Sequence, residues 1–274
     1  MATVASPVRL KERRPDLLSG TPRAHAIDRW IFVFMAAWFI VLVLTGFIPD
    51  SLMKIEMVRT GQRAPFPIVL HMHAALMGSF LLLLLAQTWL MATGRRALHM
   101  QLGLASLVLA PALVIVGFIL APTMHYQIWN ALQSAPPEMQ EKLRAGLAFS
   151  ENIKLVQIRI GILFSLFLAI GLPARTRDAG LHKRMMILAT AIALPAGIDR
   201  IQWLPSTLPG SPLSTMLGPI LAVSPMFAWD VIRNRSIHRA YWIWLGFSLP
   251  VFVIEYTLWD TPWWHATARQ MLGV

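Results

Sequence analysis

The chain has 274 residues, of which 56% are hydrophobic and 14% charged, and it carries a net charge of +11. A composition this apolar excludes a soluble domain of the same size, and the positive charge falls in the connections between apolar blocks, which sets nucleic acid aside as a partner. There is no cysteine, so disulfides, thiolate metal sites, iron–sulfur clusters and c-type haem attachment are excluded.

The apolar residues come in blocks of roughly 18 to 22, the length an α-helix needs to cross about 30 Å of hydrocarbon. Backbone amides in that slab must be paired within the segment, and the short alternating strands of a β-barrel are not seen. The fold class read from the sequence is all-α, a polytopic membrane bundle of seven transmembrane helices. Residues 1–29 read as a basic tail with no cleaved signal peptide, carrying Arg9, Lys11, Arg13, Arg14, Arg23 and Arg29. Spans are expected at Trp30–Ile48, ended by Pro49-Asp50, then at Ile68–Ala92, closed by Gly94-Arg95-Arg96, and at Leu102–Ala121 with Pro111 inside. The segment 122–153 reads as the longest loop. Its part from 136 to 152 holds Met139, Leu143 and Leu147 at i, i+4, i+8, the pattern of a short amphipathic helix lying on the outer surface or capping the bundle. Further spans follow at Leu155–Leu172, Met185–Leu204, Leu213–Trp229 and Tyr241–Trp259, and residues 261–274 form a tail whose tryptophans suit an interfacial belt.

Seven crossings place the termini on opposite sides. Fifteen Lys and Arg fall on the N-terminal side against about seven on the other, which by the positive-inside rule makes the N-terminus cytoplasmic and the C-terminus periplasmic. The location implied is a bacterial inner membrane, with the lipid bilayer as the first partner.

A charged side chain deep in hydrocarbon costs on the order of 3 kcal/mol or more, so each polar residue inside a span needs a reason. The candidates are His71, His73, Gln87, Gln157, Arg159, Asp199, Arg200 and Glu255. Asp199 with Arg200, or Arg159 with Glu255, would make buried ion pairs. His71 and His73 are about 200° apart on a helical wheel and cannot share a face, whereas His73 and Gln87, fourteen residues apart, do. A second group, His99, His182 and His238 with neighbouring arginines, sits at the inner interface. The lysines (Lys11, Lys54, Lys142, Lys154, Lys183) all read as loop or span-edge residues, which argues against a retinal Schiff base. No Walker loop, G-x-S-x-G, H-E-x-x-H or dinucleotide fingerprint occurs.

Three stretches carry a resemblance: HxHxxxxG from His71 to Gly78, GRRALHMQLG leading into span three, and LHKRMMILAT leading into span five. The stretch from Pro65 to Gln202, with IHRA at 237–240, resembles a family of uncharacterised bacterial multi-pass membrane proteins. The layout is more distantly similar to di-haem transmembrane b-type cytochromes. That resemblance implies His99 and His182 as axial ligands of an inner haem b, His71 or His73 as ligands of an outer one, and Arg95, Arg96 and Arg184 as partners of the propionates. It departs from the pattern in lacking a span-four histidine; His125 is the outer alternative.

Three functions are therefore expected in competition. The first is a haem-bearing or quinone-linked electron-transfer protein. The second is a metal-dependent membrane enzyme holding Zn or Fe through His71, His73, Asp199 and Glu255. The third is a transporter, or an accessory subunit bound to other membrane protein subunits, with no cofactor. The sequence leaves open whether the protein is an enzyme.

Overall fold

The structure, a computed structural model, describes residues 16–274; the basic residues Arg9, Lys11, Arg13 and Arg14 lie outside that range. Among the described residues all regular structure is helical, and seven helical segments are long and apolar enough to cross a membrane. They are α1 (Ala26–Arg59), α2 (Ile68–Ala92), α3 and α4 together (Arg96–Gly103, Ser106–Gln133), α5 (Pro137–Ala174), α6 and α7 together (Ala179–Ala191, Pro195–Ile198), α8 (Leu213–Asn234) and α9 (Arg239–Leu258). A last helix, α10 (Pro262–Leu272), follows.

Several helices run past the ends expected for them. Pro49 does not stop α1: it lies on the exposed side of the helix, and the next turns are held by Lys54 to Asp50 at 2.6 Å and by the Arg59–Glu56 pair at 2.7 Å. The polar connection to α2 shrinks accordingly to residues 60–67. The segment 136–152 is not a separate surface helix. It is the first part of α5, one 38-residue helix entered through Pro136 and Pro137, whose fixed φ suits a first turn. Likewise Thr261 caps a helix in the C-terminal tail by accepting from the Trp264 amide.

Two crossings are broken, and each break has a local cause. Between α3 and α4 the Ser106 hydroxyl takes the Gly103 carbonyl at 2.6 Å, and Leu104 and Ala105 turn with tighter i→i−3 bonds. Between α6 and α7, Pro195 has no N–H to give back, and Ile192, Ala193 and Leu194 also bond to the third residue before them. The break falls inside the span expected over Met185–Leu204. That span begins earlier, after Asp178 caps the Leu181 amide, and its helix ends at Ile198.

The α6–α7 segment is the central pillar, with 67% of its apolar window buried, against 22% for α3–α4 at the periphery. Met185, Ile187, Leu188, Ala189 and Leu194 form the middle of the core with Phe39 of α1 and Phe167 of α5. The outer faces present Phe34, Val41, Leu82, Val108, Ile115, Leu221 and Val253, as lipid-facing surfaces should. Without a hydrophobic drive between helices in lipid, close approach rests on small residues. A Cβ on Gly46 of α1 would stand 2.0 Å from the Gly197 carbonyl oxygen of α7, and one on Gly171 of α5 would stand 2.9 Å from the Met185 Cβ of α6. Gly46→Ala is therefore expected to destabilise the bundle by about 1–3 kcal/mol or more, the usual cost of overpacking. Gly78→Ala, where the added carbon meets open space, should be near neutral; thermal unfolding of the two variants in the same detergent checks the contrast.

Candidate functional site

The two ends of the bundle carry different polar groups. At the end where α1 begins, His99 stands on α3 and His182 on α6, with ring centroids 6.5 Å apart and planes at 82°. Each ring is tied from behind. His99 Nδ1 lies 3.2 Å from the Gln87 carbonyl oxygen of α2, and His182 Nδ1 lies 2.8 Å from the Gly171 carbonyl oxygen of α5. A carbonyl only accepts, so in each neutral ring Nδ1 carries the proton and Nε2 keeps the lone pair. Gly171 thus serves twice: its missing side chain lets α6 approach α5, and its carbonyl orients the histidine that the approach brings near. The outcome is two half-buried imidazoles from separate helices, each with a ligand nitrogen left free. Arg96 and Arg175 lie close enough to act electrostatically on His99 and His182 respectively. Arg95 and Arg96 are exposed.

Arg184 does not serve as expected. It has no solvent exposure, and its guanidinium is filled by Asp230 of α8 (2.5 and 2.8 Å), Asp16 (2.9 Å twice) and the Gly180 carbonyl. Tyr241 donates to the same Asp230 at 2.9 Å, and Lys183 pairs with Asp16 at 2.6 Å. This node pins the N-terminal approach, α6, α8 and α9 to one another, which leaves Arg184 no donor for a propionate. Burial alone would raise the Asp16 carboxyl, but Arg184 and Lys183 overcome it and hold it well below the usual range. Nearby, Asp28 accepts from Arg233 at 2.7 Å and from Trp229 at 2.8 Å, joining α1 to α8.

At the opposite end the expected sets come apart. His71 is exposed at the start of α2 against Phe66. His73 is half-buried beside Gly117 of α4, and its Nδ1 has no partner. His125 lies on α4 rather than in a loop, fully buried, with Nδ1 3.3 Å from Ser150 Oγ. Lys154, read as a span-edge residue, is buried on α5 and donates to the Ser150 carbonyl and hydroxyl. No second imidazole contacts the His73 ring among the described residues. Nor do three or more His, Asp or Glu side chains converge there as a metal would require. The His71, His73, Asp199 and Glu255 set is dispersed: Glu255 is bound to Arg159 at 2.6 Å with both side chains 2% exposed, and Asp199 accepts from Ser206. Arg200 does not pair with Asp199; it reaches Asp50 at 3.2 Å and stacks on Phe47. Gln87 faces Gly103 with its side-chain amide unpartnered, and Gln157 is half-buried on α5. The C-terminal helix docks here through Glu151, which accepts from His265 and Arg269.

No family model matches the chain, and neither the curated proteins nor the solved structures give a match to it.

His238, in the turn before α9, adds a pH dependence. Its Nδ1 accepts from the Ala240 amide at 3.1 Å, which a ring protonated on both nitrogens cannot do. Burial lowers it to about 4, and Arg184 adds to this against the opposing pull of Asp230, Asp16 and Asp178. The unfolded chain takes the proton near pH 6.5 and the folded one only near 4, so stability falls as pH drops between those values. His238→Asn, which keeps a cap acceptor, is expected to flatten unfolding temperature against pH across that window; the carboxylate losses of Asp16 and Asp178, both held low, come at more acid pH.

Proposed function

We propose that this protein is a membrane-embedded b-type haem protein that carries electrons, with one haem bound between His99 and His182. One observation carries the reading: two imidazoles on neighbouring helices, both anchored through Nδ1 to backbone carbonyls, with centroids 6.5 Å apart. A metal–imidazole bond is about 2.0 Å, so rings with centroids 6.5 Å apart leave room for one metal that both would hold. Metal-binding histidines characteristically give their second nitrogen to a carbonyl or carboxylate, which fixes the tautomer and the ring direction. The donor set therefore fits a haem that His99 and His182 would hold through their Nε2 atoms. Haem bound there would supply one-electron chemistry.

The chain's own residues do the rest. Gln87 and Gly171 hold the rings, both half-buried, and Arg95, Arg96 and Arg175 supply cationic charge at the same end for two propionates. Glycine at 94 and the open polar surface around Arg95 and Arg96 leave this end accessible from the interface, where a quinone or another membrane subunit would exchange electrons. The positive-inside balance supports an orientation with this end cytoplasmic and the α10 end periplasmic, in a bacterial inner membrane.

His99→Ala and His182→Ala are each expected to abolish the low-spin Soret and reduced α-bands of protein purified with haem supplied. His71→Ala and His125→Ala should keep both bands, with iron close to one per chain. A flat visible spectrum in the wild type, or bands that survive loss of His182, would overturn the reading.

A further inference from the structure

The hairpin of α2 and α3 leaves apolar surface uncovered. No side chain of α3 is buried, although Leu98, Met100 and Leu102 are apolar and between 40% and 61% exposed. Between the two arms runs a groove of about 480 Å3, a volume usual for small-molecule sites. Ala86, Trp89 and Leu90 of α2 wall it on one side, and Leu98, Gln101 and Leu102 of α3 on the other. Four of these six are exposed, so the groove opens outward and not into the core.

The closed end of the hairpin is cationic. The chain turns at Gly94 with φ +79°, a conformation that favours glycine. Arg95 follows, its amide bonded to the Leu90 carbonyl at 2.8 Å, so Arg95 and Arg96 stand where the groove ends. Arg29 Nε donates to the Ala92 carbonyl at 2.7 Å, and its guanidinium lies over Trp30, whose ring packs 5.2 Å from that of Trp89. The acids at this end are already taken, Asp16 and Asp230 by Arg184 with Lys183, Asp28 by Arg233 and Asp178 by Arg239. Among the described residues no carboxylate pairs with Arg95 or Arg96, and both are exposed.

An occupant has to be apolar along the groove and anionic at its closed end. Arginine meets phosphate with two parallel N–H···O bonds, basic residues at the ends of membrane helices attract anionic headgroups, and tryptophan settles at the headgroup level. We infer that the α2–α3 hairpin binds one anionic phospholipid, its headgroup phosphate on Arg95 and Arg96 and an acyl chain along Trp89, Leu98 and Leu102. A neutral quinone would fill the groove but leave the arginines without an anion. A free phosphate would meet the arginines but leave the groove empty. Such a lipid covers the outer side of the helix that carries His99. Each guanidinium has five N–H donors, enough for a phosphate on one side and a haem propionate on the other, and the site does not depend on the haem reading.

The test is native mass spectrometry of the full-length protein, released from detergent micelles that contain equal amounts of phosphatidylglycerol and phosphatidylcholine. One phosphatidylglycerol per chain is expected to be retained, on the order of tenfold above phosphatidylcholine. The preference should disappear in Arg95→Gln/Arg96→Gln. It should survive in Arg177→Gln/Arg235→Gln, which removes the same charge at exposed positions that do not line the groove. Leu98→Trp, which adds bulk to the groove wall from an exposed position, should lose the lipid with both arginines intact. Glycerol phosphate, a headgroup without chains, should not compete. Equal retention of the two lipids, equal loss in the two arginine pairs, a lipid kept by Leu98→Trp, competition by glycerol phosphate, or displacement by decylubiquinone would overturn the inference.

Discussion

A charge packed between helices has to find its opposite within a few ångströms, and the tertiary structure of this chain follows that requirement closely. The pairs do not decorate a bundle assembled by other means. Arg184 ties the N-terminal approach and α8 to the central pillar, Asp28 ties α1 to α8, Arg159 ties α5 to α9, and Glu151 ties α10 to α5. Each joins segments far apart in sequence, and each is hydrogen-bonded on more than one side. Burying an ion pair is a weak source of net stability, but removing one partner strands the other, at about 3–5 kcal/mol. Such pairs therefore act as selectors of one helix arrangement among many apolar ones that lipid would tolerate equally.

Against that frame of fixed charges the neutral histidines stand out. Among the described residues His99 and His182 meet no carboxylate; they are held by carbonyls of α2 and α5 that already belong to helices. A ring held in this way is aimed without being consumed. The same backbone geometry that packs α6 on α5 at Gly171 sets the direction of the His182 ring, so site and scaffold share one contact.

The apolar blocks were legible because their lengths match a slab of fixed thickness, and a helix long and apolar enough to cross a membrane overlaps each of the seven expected stretches. The ends were less legible. Pro49 reads as a stop, yet α1 runs through it: the missing N–H forfeits one hydrogen bond of the helix, and Asp50 with Lys54 ties the next turn. The 136–152 stretch reads as a separate surface helix because its apolar stripe is weaker, but nothing between Ala148 and Leu155 breaks the backbone. At the sites, Arg159 with Glu255 was one of two ion pairs that charge and depth left open, whereas His99 with His182 followed only from the resemblance to di-haem cytochromes. Arg184 could not be assigned, since its partners lie 46 and 168 positions away. The roles of the Gln87 and Gly171 carbonyls had no signal at all, because every residue has a carbonyl and only packing decides which one is lent out.

The unbroken length of α5 has its own mechanical meaning. Thirty-eight residues at 1.5 Å each make a rod of about 57 Å, nearly twice the hydrocarbon thickness of about 30 Å. With such a slab around its apolar second half, its first half would stand clear as a mast, with α10 held to it through Glu151. There is no hinge between that mast and the turn that bears Arg159. A push or a tilt applied to the collar of α4, α5 and α10 is delivered, as through a lever arm, to the middle of the membrane.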